Sequence, residues 1–122
     1  MSADCLFCRI VAGEIPATVV LSTDTVVAFY DIAPQAPTHV VLVPREHEPH
    51  AVALAAAAPD VLADLFTAAG DVAKAEGVAD SGYRLLFNTG ENAGQTVFHA
   101  HLHLLGGGPL GALAGARPEP LR

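Results

Sequence analysis

The chain has 122 residues, of which 52% are hydrophobic and 16% are charged, and its formal net charge is −7 at pH 7. This length suits one domain with a substantial core, and no apolar run reaches the roughly 18 residues that a transmembrane helix needs. We expect no binding to a nucleic-acid polymer, because such binding depends on a cluster of Lys and Arg that this chain lacks.

The amino-terminal segment contains both cysteines of the chain, Cys5 and Cys8. Its first residues lack the basic start and apolar run of a signal peptide, which predicts a cytoplasmic location. In a reducing compartment, the Cys-x-x-Cys spacing indicates metal ligation or redox chemistry before a structural disulfide. Redox catalysis is the less favoured of the two, because the pair opens the chain instead of following a strand. The apolar residues at 6–12 predict a short helix.

Short β-prone runs and one long amphipathic segment follow. The main helix is predicted from about residue 59 to about residue 77, where apolar residues recur at spacings of three and four. The fold class is therefore α+β, an antiparallel sheet of about five strands with one main helix and the short N-terminal helix. We expect one domain over residues 1–108 and a C-terminal tail over 109–122. The predicted strands cover residues 18–21, 26–30, 39–43, 83–87 and 97–105.

Three histidines, His99, His101 and His103, alternate with apolar residues in the last predicted strand. Alternate side chains of a strand point to the same face, so these imidazoles are predicted to share one face. Such a face could be merely solvated, could bind zinc through three imidazoles, or could bind phosphate. The loop before it favours phosphate, because glycines let backbone N–H groups approach an anion closely. That loop contains Asn88, Gly90, Gly94, Gln95 and Thr96.

Longer motifs surround these histidines. The segment 99–105, His-Ala-His-Leu-His-Leu-Leu, resembles the signature of the histidine-triad nucleotide-binding family. The similarity continues through segments 5–10, 29–39, 88–90, 94–98 and 105–107, and so spans roughly residues 4–108. These motifs are most similar to the Hint branch, whose members hydrolyse purine nucleoside 5′-phosphoramidates. The resemblance implies this activity, a purine nucleotide substrate, no organic cofactor, and a homodimer that joins two sheets with the main helix near the interface.

The same resemblance implies roles for the histidines. His101 would be the nucleophile that attacks the α-phosphorus and forms a nucleotidyl-histidine intermediate, which water then cleaves. Imidazole suits this role, because its ordinary pKa of about 6.5 leaves a lone pair available near neutral pH. His103 would contact the phosphate and the leaving group, while His99 and His39 would orient His101. Any flanking imidazole is a candidate for protonating the leaving amine.

Contacts to the nucleotide are also implied. Thr96 would hydrogen-bond the phosphate, with backbone contacts from Gly94 and Gln95, and Asn88 would contact the phosphate or the ribose. Asp31 would accept hydrogen bonds from the ribose hydroxyls, since a carboxylate can accept two. For all but Ile32, ordinary core packing is an equal alternative to membership of the apolar base pocket. The residues implied for that pocket are Leu6, Phe7, Ile10, Phe29 and Ile32.

A zinc site follows from the cysteine pair, because several bacterial relatives that resemble this pattern hold a structural zinc. The implied ligands are two thiolates and two imidazoles, a set that suits tetrahedral zinc. Zinc would be structural, because His101 remains free to react when His99 is a ligand. His50 is an alternative to His47. The implied ligand set is Cys5, Cys8, His47 and His99.

Two other functions remain open from the sequence. A dinucleoside polyphosphate hydrolase of the same family would use the same chemistry with a nucleotide leaving group, although the continuation Leu-Gly-Gly at 105–107 favours the Hint branch. A non-enzymatic module would bind zinc and nucleotide without turnover. The tail also departs from Hint relatives, which commonly carry an aromatic residue that reaches the partner's active site. This chain has no Trp, so the resemblance does not extend to leaving-group preference.

Overall fold

The structure is a computed structural model and describes residues 5–112. The predicted tail lies outside the described residues from position 113 onward. Within the described part, a 3₁₀ turn at Glu91–Ala93 interrupts the loop before the last strand. The helices are α1 (Leu6–Val11), α2 (Ala51–Ala57) and α3 (Pro59–Ala75). The strands are β1 (Val19–Ser22), β2 (Val26–Tyr30), β3 (Thr38–Pro44), β4 (Tyr83–Phe87) and β5 (Leu102–Gly106).

All five strands form one antiparallel sheet in the order β1-β2-β3-β5-β4, which confirms the predicted α+β class. The last strand inserts between β3 and β4, so its residues have neighbours on both sides. His103 pairs with Val41 of β3 and with Leu86 of β4. Leu105, two positions further on, pairs with His39 and with Arg84. This register brings residues from three distant segments to one region of the sheet.

The two faces of the sheet are both covered, but by different elements. One face packs on α2 and α3 through the even-numbered residues Val26 and Leu42, which are fully buried. The opposite face carries α1, whose Phe7 packs with Phe29 and Val41. Because both faces are buried, β2 and β3 are continuous apolar runs instead of alternating polar and apolar residues.

The last strand begins later than the sequence predicts. The expected strand at 97–105 is wrong in its first half, because β5 starts only at Leu102. Just before it, the N–H of Ala100 donates to the carbonyl of Glu48 at 2.7 Å, outside the sheet ladder. The alternation nevertheless continues, since Ala100, Leu102 and Leu104 all lie in the core beside α3. His99 and His101 therefore precede the strand, and only His103 lies in it.

Glycines allow two close turns around this core. Gly77 follows the end of α3 with a φ of 75°, a left-handed conformation that commonly ends a helix. Gly107 follows β5 with a φ of 89°, and a Cβ there would lie 3.0 Å from the Cβ of Pro37. The loop between β2 and β3 can therefore pass close to the end of β5. Among the described residues, no helix combines the length and apolar character needed to cross a membrane.

Candidate active site and metal site

The four side chains implied as metal ligands come together in the structure. Cys5 is the N-cap of α1 and Cys8 lies in its first turn, and both side chains are buried. The Sγ of Cys5 lies 3.4 Å from Nδ1 of His99, and the Sγ of Cys8 lies 3.4 Å from Nδ1 of His47 and 3.5 Å from Nδ1 of His99. We call Cys5, Cys8, His47 and His99 the cysteine–histidine cluster.

These distances suit zinc. Zn–S bonds of about 2.3 Å and Zn–N bonds of about 2.1 Å at a tetrahedral angle would hold sulfur and nitrogen about 3.6 Å apart. The tautomer of His99 agrees, because its Nε2 lies 2.9 Å from the carbonyl oxygen of Pro44 and must donate there. Burial lowers the pKa of His99, so its neutral ring presents the Nδ1 lone pair to the thiols. A carbonyl behind a ligating histidine is a common outer partner of zinc sites.

The structure also separates the two candidates for the fourth ligand. His47 faces the cysteines, whereas His50 is the N-cap of α2 and its Nδ1 accepts from the N–H of Ala53 at 3.1 Å. The imidazole of His50 therefore has a local structural role. The donor set of the cysteine–histidine cluster could hold a metal ion and is compatible with zinc.

His101 lies directly beside this cluster and is held in one tautomer. Its Nδ1 lies 2.7 Å from the carbonyl oxygen of His99, so Nδ1 carries the proton and Nε2 carries the lone pair. The ring packs edge-to-face on Phe7, with centroids 4.9 Å apart. Burial lowers the pKa of His101, although the hydrogen bond to His99 and the charge of Asp31 oppose this effect. The result favours a neutral imidazole whose lone pair is fixed at Nε2.

A chain of hydrogen bonds holds His103 in the tautomer opposite to that of His101. The backbone N–H of Gln35 donates to Nδ1 of His39 at 3.0 Å, so the proton of neutral His39 is on Nε2. That Nε2 lies 2.9 Å from Nδ1 of His103 and donates to it. Neutral His103 therefore carries its proton on Nε2. We call this chain, from the Gln35 N–H through His39 to His103, the histidine relay.

The surroundings of His103 favour its uncharged form. Burial, together with the neighbouring His101 and His39, lowers the pKa of His103 to about 4, while the charge of Asp31 opposes the shift. Burial also lowers the pKa of His39, against the same carboxylate, whose Oδ2 lies 3.5 Å from its Nε2. His103 is therefore a neutral hydrogen-bond donor at Nε2, and its ring lies 4.9 Å from that of His101.

A cavity of about 220 Å³ is lined by residues of α1 and β2, among them Phe7, whose ring packs on His101. It is mainly apolar, as a purine base requires, and all five residues implied for a base pocket line it. Ile32 stands at its rim with its side chain 99% exposed. The sequence did not single out several other lining residues, because α1 and the segment after it must first fold over the sheet. Those residues are Ile15, Pro16, Ala17, Tyr30, Val41 and Val97.

Polar residues expected to contact the nucleotide occupy different positions around the histidines. Asp31 borders the apolar cavity, and its Oδ1 accepts from the N–H of Ala33 at 2.8 Å, which leaves Oδ2 towards His39. Thr96 is exposed at the end of the glycine loop. Asn88 lies with His103 on the other side of the site, at a second cavity of about 400 Å³.

The glycine loop is internally bonded in this structure. The N–H of Gly94 donates to the carbonyl of Glu91 at 3.0 Å, and the N–H of Gln95 donates to the carbonyl of Gly90 at 3.1 Å. The buried side chain of Gln95 accepts from the N–H of Gly90 at 2.8 Å and donates to the carbonyl of Pro49 at 2.7 Å. Gln95 thus anchors the loop through its side chain. The backbone N–H groups of Gly94 and Gln95 both donate to carbonyls within the loop.

Two residues near the relay were missed by reading the sequence. Gln35 acts through its backbone N–H, which no side-chain pattern reveals. Arg84 lines the second cavity together with His39 and His103, because β4 and β5 are neighbours in the sheet. The only signal for Arg84 in the sequence was that basic residues are rare, since the chain has just 6 Lys and Arg residues.

Comparisons with known proteins agree with this geometry. A family model described as the HIT domain matches residues 12–110, a segment that contains every histidine named above but neither cysteine. A protein named purine nucleoside phosphoramidase from Escherichia coli K12 is 42% identical over 93% of this chain and 95% of its own length. A solved HIT family hydrolase from Clostridium thermocellum has a TM-score of 0.89 and 41% identity, covering 93% of this chain and 99% of that one. Another, from Legionella pneumophila, has a TM-score of 0.83 and 46% identity, covering 88% and 100%.

Proposed function

The chain belongs to the HIT domain family, and on this premise we propose that it hydrolyses purine nucleoside 5′-phosphoramidates. The observation that carries the proposal is the fixed pair of tautomers. His101 presents a lone pair at Nε2 because its Nδ1 donates to the carbonyl of His99, and His103 presents an N–H at Nε2 because its Nδ1 accepts from His39. A nucleophile beside a hydrogen-bond donor is the arrangement that phosphoryl transfer requires.

The proposed reaction has two displacements at phosphorus. Nε2 of His101 attacks, the P–N bond breaks, and its electron pair goes to the leaving nitrogen, which departs as an amine. Water then attacks the phosphorus of the nucleotidyl-histidine, which releases His101 and a nucleoside 5′-monophosphate. The negative phosphate raises the pKa of the imidazoles that it contacts, so a proton taken up with the substrate is available to the leaving nitrogen.

The remaining contacts follow from the two sides of the site. The purine enters the apolar cavity beside Phe7, and the ribose hydroxyls donate to Asp31 at its border. The phosphate lies between His101 and His103, with the hydroxyl of Thr96 as a further donor.

We also propose that the cysteine–histidine cluster binds one structural zinc ion. When bound, zinc would crosslink α1 to the segments that carry His47 and His99, and so hold one wall of the purine cavity in place. The residues themselves support this, because His99 offers its lone pair to the thiols and not to the substrate.

A homodimer is the proposed assembly. β4 is an edge strand whose far side has no neighbour among the described strands, and Phe66 of α3 is 46% exposed next to Phe87 of that edge. Joining two such edges would extend the sheet and cover Phe66. Analytical ultracentrifugation should give twice the chain mass, and Phe66→Glu should shift the equilibrium to the monomer.

The activity is tested with adenosine and guanosine 5′-monophosphoramidates. We expect the wild type to turn over both and His101→Ala to lose at least about 10³-fold in kcat. Quenching in alkaline denaturant during turnover should leave one nucleotide on His101, detectable by peptide mass spectrometry, because the P–N bond of a nucleotidyl-histidine breaks in acid but survives in alkali. His50→Asn is the matched control, since asparagine can also cap α2 and the site is untouched. Full activity of His101→Ala would contradict the assignment, and adenosine monophosphate binding without wild-type turnover would favour a binding module.

A further inference from the structure

The second cavity, of about 400 Å³, lies on the side of His103 away from the purine cavity. The purine cavity is bounded by α1 and β2, whereas the second cavity is bounded by β4 and β5 and by Gln35 and His39. His101 contacts Phe7 of the first cavity, and His103 lines the second. A nucleotide bound with its base in the first cavity and its phosphate at these histidines therefore directs its leaving group into the second.

Arg84 is the cation of that second cavity. It pairs with Leu105 of β5, and Leu105 pairs on its other side with His39 of β3, so Arg84 and His39 lie in one row across the sheet. Its Nη2 donates to the carbonyl oxygen of Gly111 at 2.8 Å. A guanidinium has five N–H donors, so this one bond leaves most of them available.

No carboxylate neutralises Arg84 among residues 5–112. Within those residues the ion pairs join Arg9 to Glu14 and His39 to Asp31. Arg45 by comparison donates through both Nε and Nη2, to the carbonyl of Thr23 and to Oγ of Ser22, and lies outside the cavity. What distinguishes Arg84 from Arg45 is its place in the lining of the cavity, beside His39 and His103. Holding Gly111 alone would not require a charge.

We infer that Arg84 binds an anionic group on the leaving amine, so that the preferred substrates are nucleoside 5′-phosphoramidates whose amine carries a carboxylate, as an N-linked amino acid does. This inference rests on the proposed phosphoramidase function and adds the leaving-group subsite to it. Arg84 is suited to a carboxylate because its fork of N–H groups matches two oxygens. The phosphates of a nucleotide leaving group offer the same charge, so the experiment includes both sources.

The test compares two leaving groups of nearly equal shape. Adenosine 5′-phosphate is joined through nitrogen to β-alanine, which carries a carboxylate, or to β-alaninamide, which is neutral. We expect the wild type to have a kcat/KM about tenfold higher for the β-alanine compound than for the β-alaninamide compound. A factor of this size is what one partly exposed hydrogen bond between charged groups contributes. Arg84→Gln should remove this preference and leave the neutral substrate within about twofold. Arg84→Lys should keep part of it, and Arg45→Gln, the matched control, all of it.

The outcomes separate the two proposals. If the wild type cleaves neither compound, the phosphoramidase function is wrong and the inference about Arg84 fails with it. If the wild type cleaves both equally well, or if Arg84→Gln keeps the preference, only the inference about Arg84 is wrong. Diadenosine triphosphate, whose leaving group is ADP, distinguishes the source of the charge. If Arg84→Gln lowers kcat/KM more for diadenosine triphosphate than for the β-alanine compound, the subsite binds phosphate. If it lowers kcat/KM less for diadenosine triphosphate, the subsite binds carboxylate.

Discussion

Two groups of side chains in this molecule look alike by composition but differ in chemistry. The cysteine–histidine cluster and the group of Asp31, His39 and His103 each bring their ligand atoms within 4.8 Å of one another. In the first, a backbone carbonyl behind His99 takes the ring proton, so the lone pair faces the other ligands. In the second, the backbone N–H of Gln35 donates to Nδ1 of His39, so the ring proton of His39 is on Nε2 and points towards His103.

This difference favours metal binding in the first group and hydrogen bonding in the second. A metal ion needs a lone pair, and His39 could offer Nε2 only by giving up its bond from Gln35. The two groups still meet at His101, since the carbonyl of His99, a candidate metal ligand, fixes its tautomer. Zinc ligation would therefore position the proposed nucleophile, His101, through one residue without contacting the substrate.

The largest effect is expected when one proposed ligand of the cysteine–histidine cluster is replaced. Cys8→Ser replaces a thiolate by a poor zinc ligand, so we expect about one zinc per chain to fall to near zero. The free energy of unfolding should drop by at least about 3 kcal/mol, because metal-binding energy is folding energy. Metal analysis and urea denaturation measure both effects. His103→Gln serves as the counterpart and should keep its zinc; a stoichiometry of two in the wild type that falls to one in His103→Gln would contradict the distinction.

The next effect breaks the histidine relay without touching the metal ligands. His39→Leu removes the donor to Nδ1 of His103. The ring of His103 can then carry its proton on Nδ1 instead of Nε2, and kcat should fall about 10²-fold. His39→Gln retains an N–H donor and should recover part of the rate. Zinc content should be unchanged in both variants. An equal loss in the two, with normal thermal unfolding, would mean that the role of His39 is not to donate to His103.

Acid stability sharpens the comparison further. The pKa of His103 is lowered to about 4 in the folded state, below the ordinary value of 6.5, so the unfolded chain binds the proton first. This contribution to stability is present above pH 6.5 and is lost as the pH falls towards 4, and it amounts to at most about 3 kcal/mol. Urea denaturation of His103→Gln at pH 7 and pH 4.5 should show a smaller acid loss than the wild type. An identical loss would contradict the assigned shift.

The smallest expected effect distinguishes the two histidines near α2. His50→Ala removes the cap of that helix and should cost about 1 kcal/mol of stability, whereas His50→Asn should cost little. Both variants should retain zinc, in contrast to His47→Ala. Loss of zinc from His50→Asn would show that His50 is the ligand.

Much of the candidate site was predictable because it depends on local periodicity. The alternation at 99–105 predicted that the imidazoles lie opposite Ala100, Leu102 and Leu104, and the Cys-x-x-Cys spacing identified two candidate metal ligands. The start of β5 was not predictable, because the carbonyl of Glu48, about fifty residues away, takes the N–H of Ala100 from the ladder. His47 and His50 were equivalent in sequence, and only the start of α2 makes His50 a cap.

The sequence by itself therefore determined which imidazoles and thiols are the candidates for the chemistry, because strand alternation and ligand spacing are short-range properties of the chain. The tertiary structure decided which nitrogen of each imidazole carries the proton. It did so because the carbonyls of His99 and Pro44 and the N–H of Gln35 come from backbone whose position depends on the whole sheet. It also brought Arg84 to the cavity beside His103, since β4 and β5 become neighbours only on folding.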